Sequence, residues 1–396
     1  MTVMPLYQTG QPFYAPAFEL ELNGSPMPRN LVRDIVEVTF EDSIDSIDSF
    51  TLVFNNWDTD NLRPQYIGEQ ADEKQWPLVQ PGNGIQLRMG YQGATPDLRQ
   101  MTTGFITALD AEFPEAGASR LTVRGLNVLD RFRDKQYTWS WPWDRSGTIR
   151  DSEVAADLGK PPDSPKGKPG LANGVKVLVS GEALRAEPPR EHVFMNNQYP
   201  IVFLMQLARR NGYDLFITQG TDQKDALYFG PSRQVYDRTY VLEWGKSLSS
   251  LKATISTARQ VKKVTVLGWN RKKKAPIKGE ATVADNGAGM QPTVRALALA
   301  NGREEIVTDV PVVDDQDAKR TAQDLLFNIA SRLVEVEGAV VGLPDLRAGR
   351  TVFLDRVGPH LRGQYFVTST RHVINDSGYR TTFKARMDGK PQAAPS

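Results

Sequence analysis

Three histidines, His192, His360 and His372, are the first candidates for metal or general-base chemistry, because the chain has no cysteine. His372 falls in a strand-like run and His360 in a Pro-flanked loop, and no His-x-x-x-His or carboxylate spacing joins them. Core or surface roles outweigh a ligand role by roughly ten to one. The pair Asp314–Asp315 has the chemistry of catalytic acids, but it opens an apolar-periodic run, where helix capping explains it. "DNGAGM" (Asp285–Met290) is a Gly-rich stretch of phosphate-loop type. No Lys-Ser/Thr follows it and no buried strand precedes it, so it reads as a loop tip. "RKKKAPIK" (Arg271–Lys278) lacks the interleaved aromatics of a nucleic-acid surface and reads as a solvated loop or protein interface. "YTWSWPWD" (Tyr137–Asp144) packs Trp139, Trp141 and Trp143 together. It is either a carbohydrate or partner platform or an aromatic plug between domains, with the plug favoured by roughly two to one. The expectation is no catalytic, cofactor-binding or metal-binding residue, no cofactor, and no enzyme.

Composition narrows the classes further. The chain has 396 residues, 40% of them hydrophobic, and a net charge of +1. That length predicts two to four domains at roughly 150 residues each. Nothing global attracts it to nucleic acid or to an anionic membrane. The absence of cysteine excludes disulfide scaffolds, thiolate metal sites and cysteine nucleophiles. The first residues carry prolines rather than a basic segment and an apolar run, so no signal peptide is expected. No stretch approaches the ~18–20 apolar residues of a membrane helix.

The elements that must position these residues are mostly strands. From Phe18 to about Leu126, six runs alternate or nearly so: Phe18–Leu22, Ile35–Phe40, Phe50–Phe54, Ile85–Tyr91, Thr103–Leu109 and Leu121–Gly125. Six short strands in one segment predict a barrel or sandwich. Trp57–Pro81 reads as a long loop, of a length uncommon unless it contacts something. Past Thr148 the texture changes. Asp151–Leu158 is a predicted helix, Gly159–Gly170 a Pro/Gly/Lys loop, and Tyr199–Asn211 an amphipathic helix stopped by Gly212. Strands follow at Tyr213–Thr218 and Ala226–Phe229, and again from Tyr240 to Trp269. A patternless stretch, Asn270–Asn301, precedes a helix with Ala318, Ala322, Leu325, Ile329 and Leu333 on one face. Then come Glu335–Val341, Thr351–Leu354 and a closing hairpin, "LRGQYFVTSTRHVINDSGYRTTFKARMDG".

One order of features occurs twice. Gly82–Leu87, a strand around Gly104, a turn at Gly117 and "SRLTVRG" match Gly349–Leu354, a strand around Gly363, a turn at Gly378 and "YRTTFKA". The predicted fold class is therefore mainly β with α+β insertions: two related β-barrel domains separated by a small α+β domain. The division is an extension over 1–17, a first barrel over 18–136 and an α+β domain over 137–238. A second barrel over 239–390 carries an inserted loop (270–301) and a helix (315–334), and 391–396 is a tail. Three such chains in a ring would present six barrels with approximate six-fold symmetry.

The blocks "PGNGIQLRMGY", "TTGFITALDAEFP" and "LTVRGLNVLDRFR", then "YPIVFLMQLARRNGYDLFI" and "LYFGP", then "LRAGRTVFL" and "GQYFVTSTRHVINDSGYRTTFKARMD" carry a resemblance. In order and spacing over most of the chain the sequence resembles the phage late control gene D family, the baseplate hub proteins of contractile tails. It is similar to the hub of T-even phages and to the N-terminal part of type VI secretion spike proteins. The resemblance implies a homotrimer of tube-like barrels, a pseudo-six-fold ring adapting the hexameric tail tube to the trimeric spike. Fused family members continue into an OB-fold and a β-helix or β-prism, whereas this sequence stops at Ser396, so the expected spike is a separate protein. Implied partners are that spike protein, the tail tube protein, baseplate wedge proteins, and a tape-measure end or cargo in the lumen. No nucleic acid and no direct membrane insertion are expected. The implied location is a virion tail or phage-tail-like particle assembled in the cytoplasm. The alternatives are a β-rich cell-wall or glycan hydrolase, for which no paired carboxylates stand out, and a carbohydrate-binding module using Trp139, Trp141 and Trp143.

Overall fold

The computed structural model describes residues 2–5, 15–67, 79–92, 97–133, 135–143, 147–163, 166–171, 175–181, 184, 187–219, 225–231, 238–258, 260–271, 273–286, 299 and 302–387. The first part of the chain is β1 (Thr2–Pro5), β2 (Pro16–Leu22), β3 (Ser25–Pro26), α1 (Arg29–Arg33), β4 (Ile35–Ser43) and β5 (Ser49–Asn55). A small hairpin, β6 (Trp57–Asp58) and β7 (Arg63–Pro64), precedes β8 (Gly84–Tyr91), β9 (Asp97–Glu112), β10 (Arg120–Asn127) and a 3-10 turn at Val128–Arg133. The middle holds β11 (Tyr137–Trp141), α2 (Asp151–Leu158), β12 (Val177–Val179), β13 (Val193–Gln198), α3 (Pro200–Arg210), β14 (Asp214–Gln219) and β15 (Asp225–Gly230). The last part is β16 (Arg238–Glu243), β17 (Leu248–Ile255), β18 (Lys263–Asn270), β19 (Ala275–Thr282), α4 (Val283–Asn286), β20 (Glu304–Val307) and α5 (Asp315–Ser331). It ends with β21 (Val334–Val341), β22 (Thr351–Asp355), β23 (Gly363–Asn375) and β24 (Gly378–Met387).

Two sets of six strands follow one plan. Across the first set the order is β2-β8-β9-β10-β5-β4, and across the second it is β16-β22-β23-β24-β21-β17. From β8 to β4 and from β22 to β17 the registers agree pair by pair: Ile85 faces Gly104 and Leu87 faces Thr102, as Val352 faces Tyr365 and Leu354 faces Gly363. Both long strands bulge at one residue, Thr107 in β9 and Thr368 in β23, where the ladder to β10 or β24 skips. Each bulged threonine donates its hydroxyl to a strand carbonyl, of Arg124 at 3.4 Å and of Lys384 at 3.2 Å. Gly82 and Gly349, both at positive φ, donate to Ile106 and Val367 across equivalent corners. A second bulge, at Val36 in β4 and Ser249 in β17, recurs as well. The sequence alignment errs at one point: Gly104 occupies the place of Tyr365, and Gly363 that of Thr102.

Separate closed barrels are not what the described strands form. They join in one 14-stranded, largely antiparallel sheet, and no hydrogen-bonded ring closes within it. Strand length is the reason. β23 has 13 residues and β22 only 5, so β22 covers Gly363–Phe366 and leaves the edge from Ser369 to Asn375 open. β4 of the first set occupies that edge, antiparallel, from Glu37 to Ser43. Within residues 1–17, β1 runs parallel to β16, so the start of the chain lies on the sheet of the second set.

The middle unit has its own core, in which α3 buries Ile201, Phe203, Leu204, Leu207 and Ala208. Pro200 starts this helix, and Gly212 at φ +66 follows its end. The stretch 270–301, read as a loop, contains most of a hairpin: β19 pairs with β18 in a three-stranded sheet with β20. Its alternation is hidden because the inward residues are Ile277, Gly279 and Ala281, with charged Lys278 and Glu280 between them. Gly279 lies against the backbone of α5, leaving no room for a side chain. Residues 287–298, 300 and 301 fall outside the described residues, as do 68–78 of the loop over 57–81.

Candidate functional site

The densest polar cluster lies where β4 meets β23, and it joins the two sets. Alternation in β4 points Val38, Phe40 and Asp42 inward, so a carboxylate enters an apolar face. Asp42 accepts from the Thr370 hydroxyl, the Thr370 N–H at 3.2 Å, the Ala348 N–H at 3.1 Å and the Arg347 guanidinium. Arg347 also donates to the Met101 carbonyl at 3.0 Å and lies 4.5 Å over the Phe40 ring. Tyr91 of the first set adds a bond to the Gly342 carbonyl at 2.9 Å.

His372 sits in the same cluster with no exposed surface. Its Nε2 is 3.0 Å from the Leu346 carbonyl, which only accepts, so the network assigns the proton to Nε2. Nδ1 is then the acceptor, with one lone pair facing the hydroxyls of Tyr379 at 3.0 Å and Thr381 at 3.1 Å. Burial, and then the Arg347 charge, push the imidazole down to about 4, so it is neutral at neutral pH. Nearby, burial and then the Asp42 charge push Asp48 up to about 8, while Asn127 donates to it at 3.0 Å. Two carboxylates thus share one buried region, but Asp42 is saturated by donors and Asp48 is fully enclosed. The arrangement can lock two β-sets together; it presents no activated group to solvent.

A second cluster joins the middle unit to the last part of the chain. Asp151, at the first turn of α2, accepts from Arg210 and from Asn211 at 2.7 Å. Arg190 bridges Asp151 and Asp317 of α5, and Arg320 pairs with Asp317 at 3.3 Å. Glu187, raised by burial, accepts the Ser152 N–H at 2.7 Å.

The remaining candidates separate. His192 and His360 are exposed, whereas His372 is buried. Asp314 caps α5 by accepting the Asp317 N–H at 2.8 Å, and Asp315 accepts from Lys278 N–H at 3.0 Å. No group of three or more metal-capable side chains occurs among the described residues. Residues 287–290 of "DNGAGM" and Lys272 lie outside the described residues. Trp139 and Trp141 are buried in the middle core, Trp141 stacked on Phe203 and donating to Asp157 at 2.9 Å. Trp143 is 66% exposed and stacks on Trp139 at 4.4 Å. Sequence reading missed Asp42, Asp48 and Arg347; the available signal was Asp42 at an apolar-period position of a strand.

Against known proteins, the architecture is that of phage tail proteins over nearly the whole chain. The 43 kDa tail protein of prophage MuSo2 from Shewanella oneidensis is similar with a TM-score of 0.65 and 14% identity, over 94% of this chain and 98% of that one. A tail protein from Neisseria meningitidis MC58 gives 0.61 and 15%, over 95% and 97%. An E. coli component of the type VI secretion system, itself structurally similar to T4 tail proteins gp27 and gp5, gives 0.57 and 11%, over 95% and 79%. A family model described as the Alg8 N-terminal domain matches residues 203–376. That match starts inside α3 and ends in the turn between β23 and β24, so it follows no structural unit. No curated protein matches the sequence. No helix among the described residues is long and apolar enough to cross a membrane.

Proposed function

We propose that this chain is a structural baseplate hub of a contractile phage tail or phage-tail-like injection particle, and not an enzyme. The observation that carries the reading is the six-strand plan used twice, with matching registers and bulges, on one chain. Two like units per chain turn a homotrimer into a ring of six, which is how a three-fold body meets a hexameric tube. In this reading residues 18–136 and 239–390 are tube-like domains, residues 137–238 a small α+β domain, and the barrels close only in the assembled ring. One face seats the spike and the other meets the tail tube protein. Wedge proteins contact the periphery, including the segments over 57–81 and 270–301, and the lumen holds a tape-measure end or cargo. Assembly takes place in the cytoplasm, and the product is part of a tail particle. The resemblance of the sequence blocks and the likeness to tail proteins support this function, and the closed, saturated state of the His372 cluster supports a non-catalytic role.

Native mass spectrometry across a concentration series, with electron micrographs, tests it. A trimer forming six-lobed rings is the expected result. A chain that stays monomeric at every concentration, and also when co-expressed with its spike, overturns it.

A further inference from the structure

The junction between β4 and β23 is made once within the chain, and the repeat leaves its counterpart unmade. By the matched registers, β17 stands where β4 stands, and the stretch from Ala108 to Phe113 stands where Ser369–Ile374 stands. Among the described residues, β17 pairs only with β21, and β9 beyond Phe105 pairs only with β10. Each therefore keeps one open edge. We infer that β17 of one chain pairs antiparallel with the second half of β9 of another copy, in the register that joins β4 to β23. This rests on the ring reading above and specifies its chain-to-chain contact.

Side-chain chemistry supports that register. Within the chain, Thr370, His372 and Ile374 point inward and face Asp42, Phe40 and Val38. The counterparts are Leu109, Ala111 and Phe113 opposite Ile255, Ala253 and Leu251, six residues that are all apolar. Three of them are exposed in the free chain, Ala111, Phe113 at 57% and Ile255 at 47%. The outward counterparts are polar or small: Ala108, Asp110 and Glu112 opposite Ser256, Thr254 and Lys252. Glu112 thus meets Lys252, a favourable cross-strand pair. A slip of one residue would turn the apolar set outward. An open edge lined by exposed apolar side chains is a pairing surface unless something covers it. Because the two edges differ, the contact is head-to-tail and closes into a ring when the rotation permits.

The chain has no cysteine, so introduced thiols report without background. The test combines Ala111→Cys and Ala253→Cys in the full chain, oxidised mildly and run without reductant. Directly opposed residues lie within about 5.5 Å Cα–Cα, inside the range a disulfide spans. The expected result is a covalent ladder ending at three chains, with only dimers when the two single variants are mixed. Ala111→Cys with Thr254→Cys, which point to opposite faces, should not link. A second variant, Ile255→Asp, should raise the concentration for half-assembly by ~10-fold or more and leave the monomer's melting temperature unmoved. A native trimer without the 111–253 link overturns this contact and leaves the hub reading standing. Linked chains without a three-chain end point support the contact and count against the hub reading. Stronger linking of the 111–254 pair overturns the register.

Discussion

The two β-sets share a backbone plan and almost no side-chain plan. In the first set β2 runs antiparallel to β8, whereas in the second β16 runs parallel to β22 and carries β1 outside it. Residues 44–48 suffice to join β4 to β5, while the path from β17 to β21 carries β18, β19, β20 and α5. The first core is rich in rings, with Phe40, Phe50, Phe54 and Tyr66, and the second is largely aliphatic. What both retain is a threonine bulge, a left-handed glycine at the corner, and the order of strands. Backbone devices that set twist and register therefore outlast the packing they support. The sharpest difference lies at equivalent positions of β4 and β17, which hold a saturated buried Asp42 and an exposed Ile255.

That difference gives the largest expected effect. Asp42→Ala strips Arg347 of its carboxylate in a buried setting and should destabilise the full chain by ~3–5 kcal/mol in denaturant unfolding. Ile255→Ala, at the counterpart position, should change the free chain by no more than ~0.5 kcal/mol. Equal effects would break the comparison.

A second pair of sites sharpens it. Phe50 of β5 covers Gly125 of β10, and at a neighbouring inward position of the matched ladder Phe383 of β24 covers Gly338 of β21, so the ring sits on opposite members of the strand pair in the two sets. Gly125→Ala and Gly338→Ala should each cost ~1–3 kcal/mol through overpacking. The atoms nearest a Cβ at Gly338 belong to the Phe383 ring and a Leu248 methyl, so Phe383→Leu should restore most of the loss. A Cβ at Gly125 also meets the Phe105 carbonyl, so Phe50→Leu should restore less. Thermal melts of the four single and two double variants decide this. A smaller effect belongs to the second set alone: Asp314→Ala removes the cap of α5 and should cost ~1 kcal/mol.

Much of the plan was legible in the sequence. Period-two alternation marked the strands of both sets, Asp314 marked the start of α5, and the order of glycines marked the repeat. Local signals could not reveal that β23 changes neighbours halfway along, because that follows from its length relative to β22, which no single residue encodes. The glycines at 104 and 363 misled for a related reason: Gly104 lies against the backbone of Leu126, where no Cβ fits, and Gly363 does not share its ladder position. β19 escaped notice because Gly279 and Ala281 are small where apolar bulk is the usual strand signal. The junction was half legible. Asp42 and His372 are polar residues at inward positions of apolar runs, but that they meet depends on a pairing between residues at opposite ends of the chain.

The last prediction separates the two buried titrating groups of this junction by sign. His372 is held down to about 4, so the folded chain binds fewer protons there than the unfolded chain between about 4 and 6.5. Its contribution is present above about 6.5 and is lost as pH falls toward 4. Asp48 is held up to about 8, so the folded chain binds more protons there than the unfolded chain from about 4 upward. Its contribution is present at low pH and is lost as pH rises through about 8. The two slopes oppose each other below about 6.5, and above it only the Asp48 slope remains. One proton of difference gives at most ~1.4 kcal/mol per pH unit, so half a unit near neutrality moves stability by less than ~0.7 kcal/mol. Asp48→Asn, which keeps an acceptor for Asn127, should flatten the fall in melting temperature between pH 6.5 and 8. An unchanged fall in that variant would assign the titration to another group and remove Asp48 from the account of this junction.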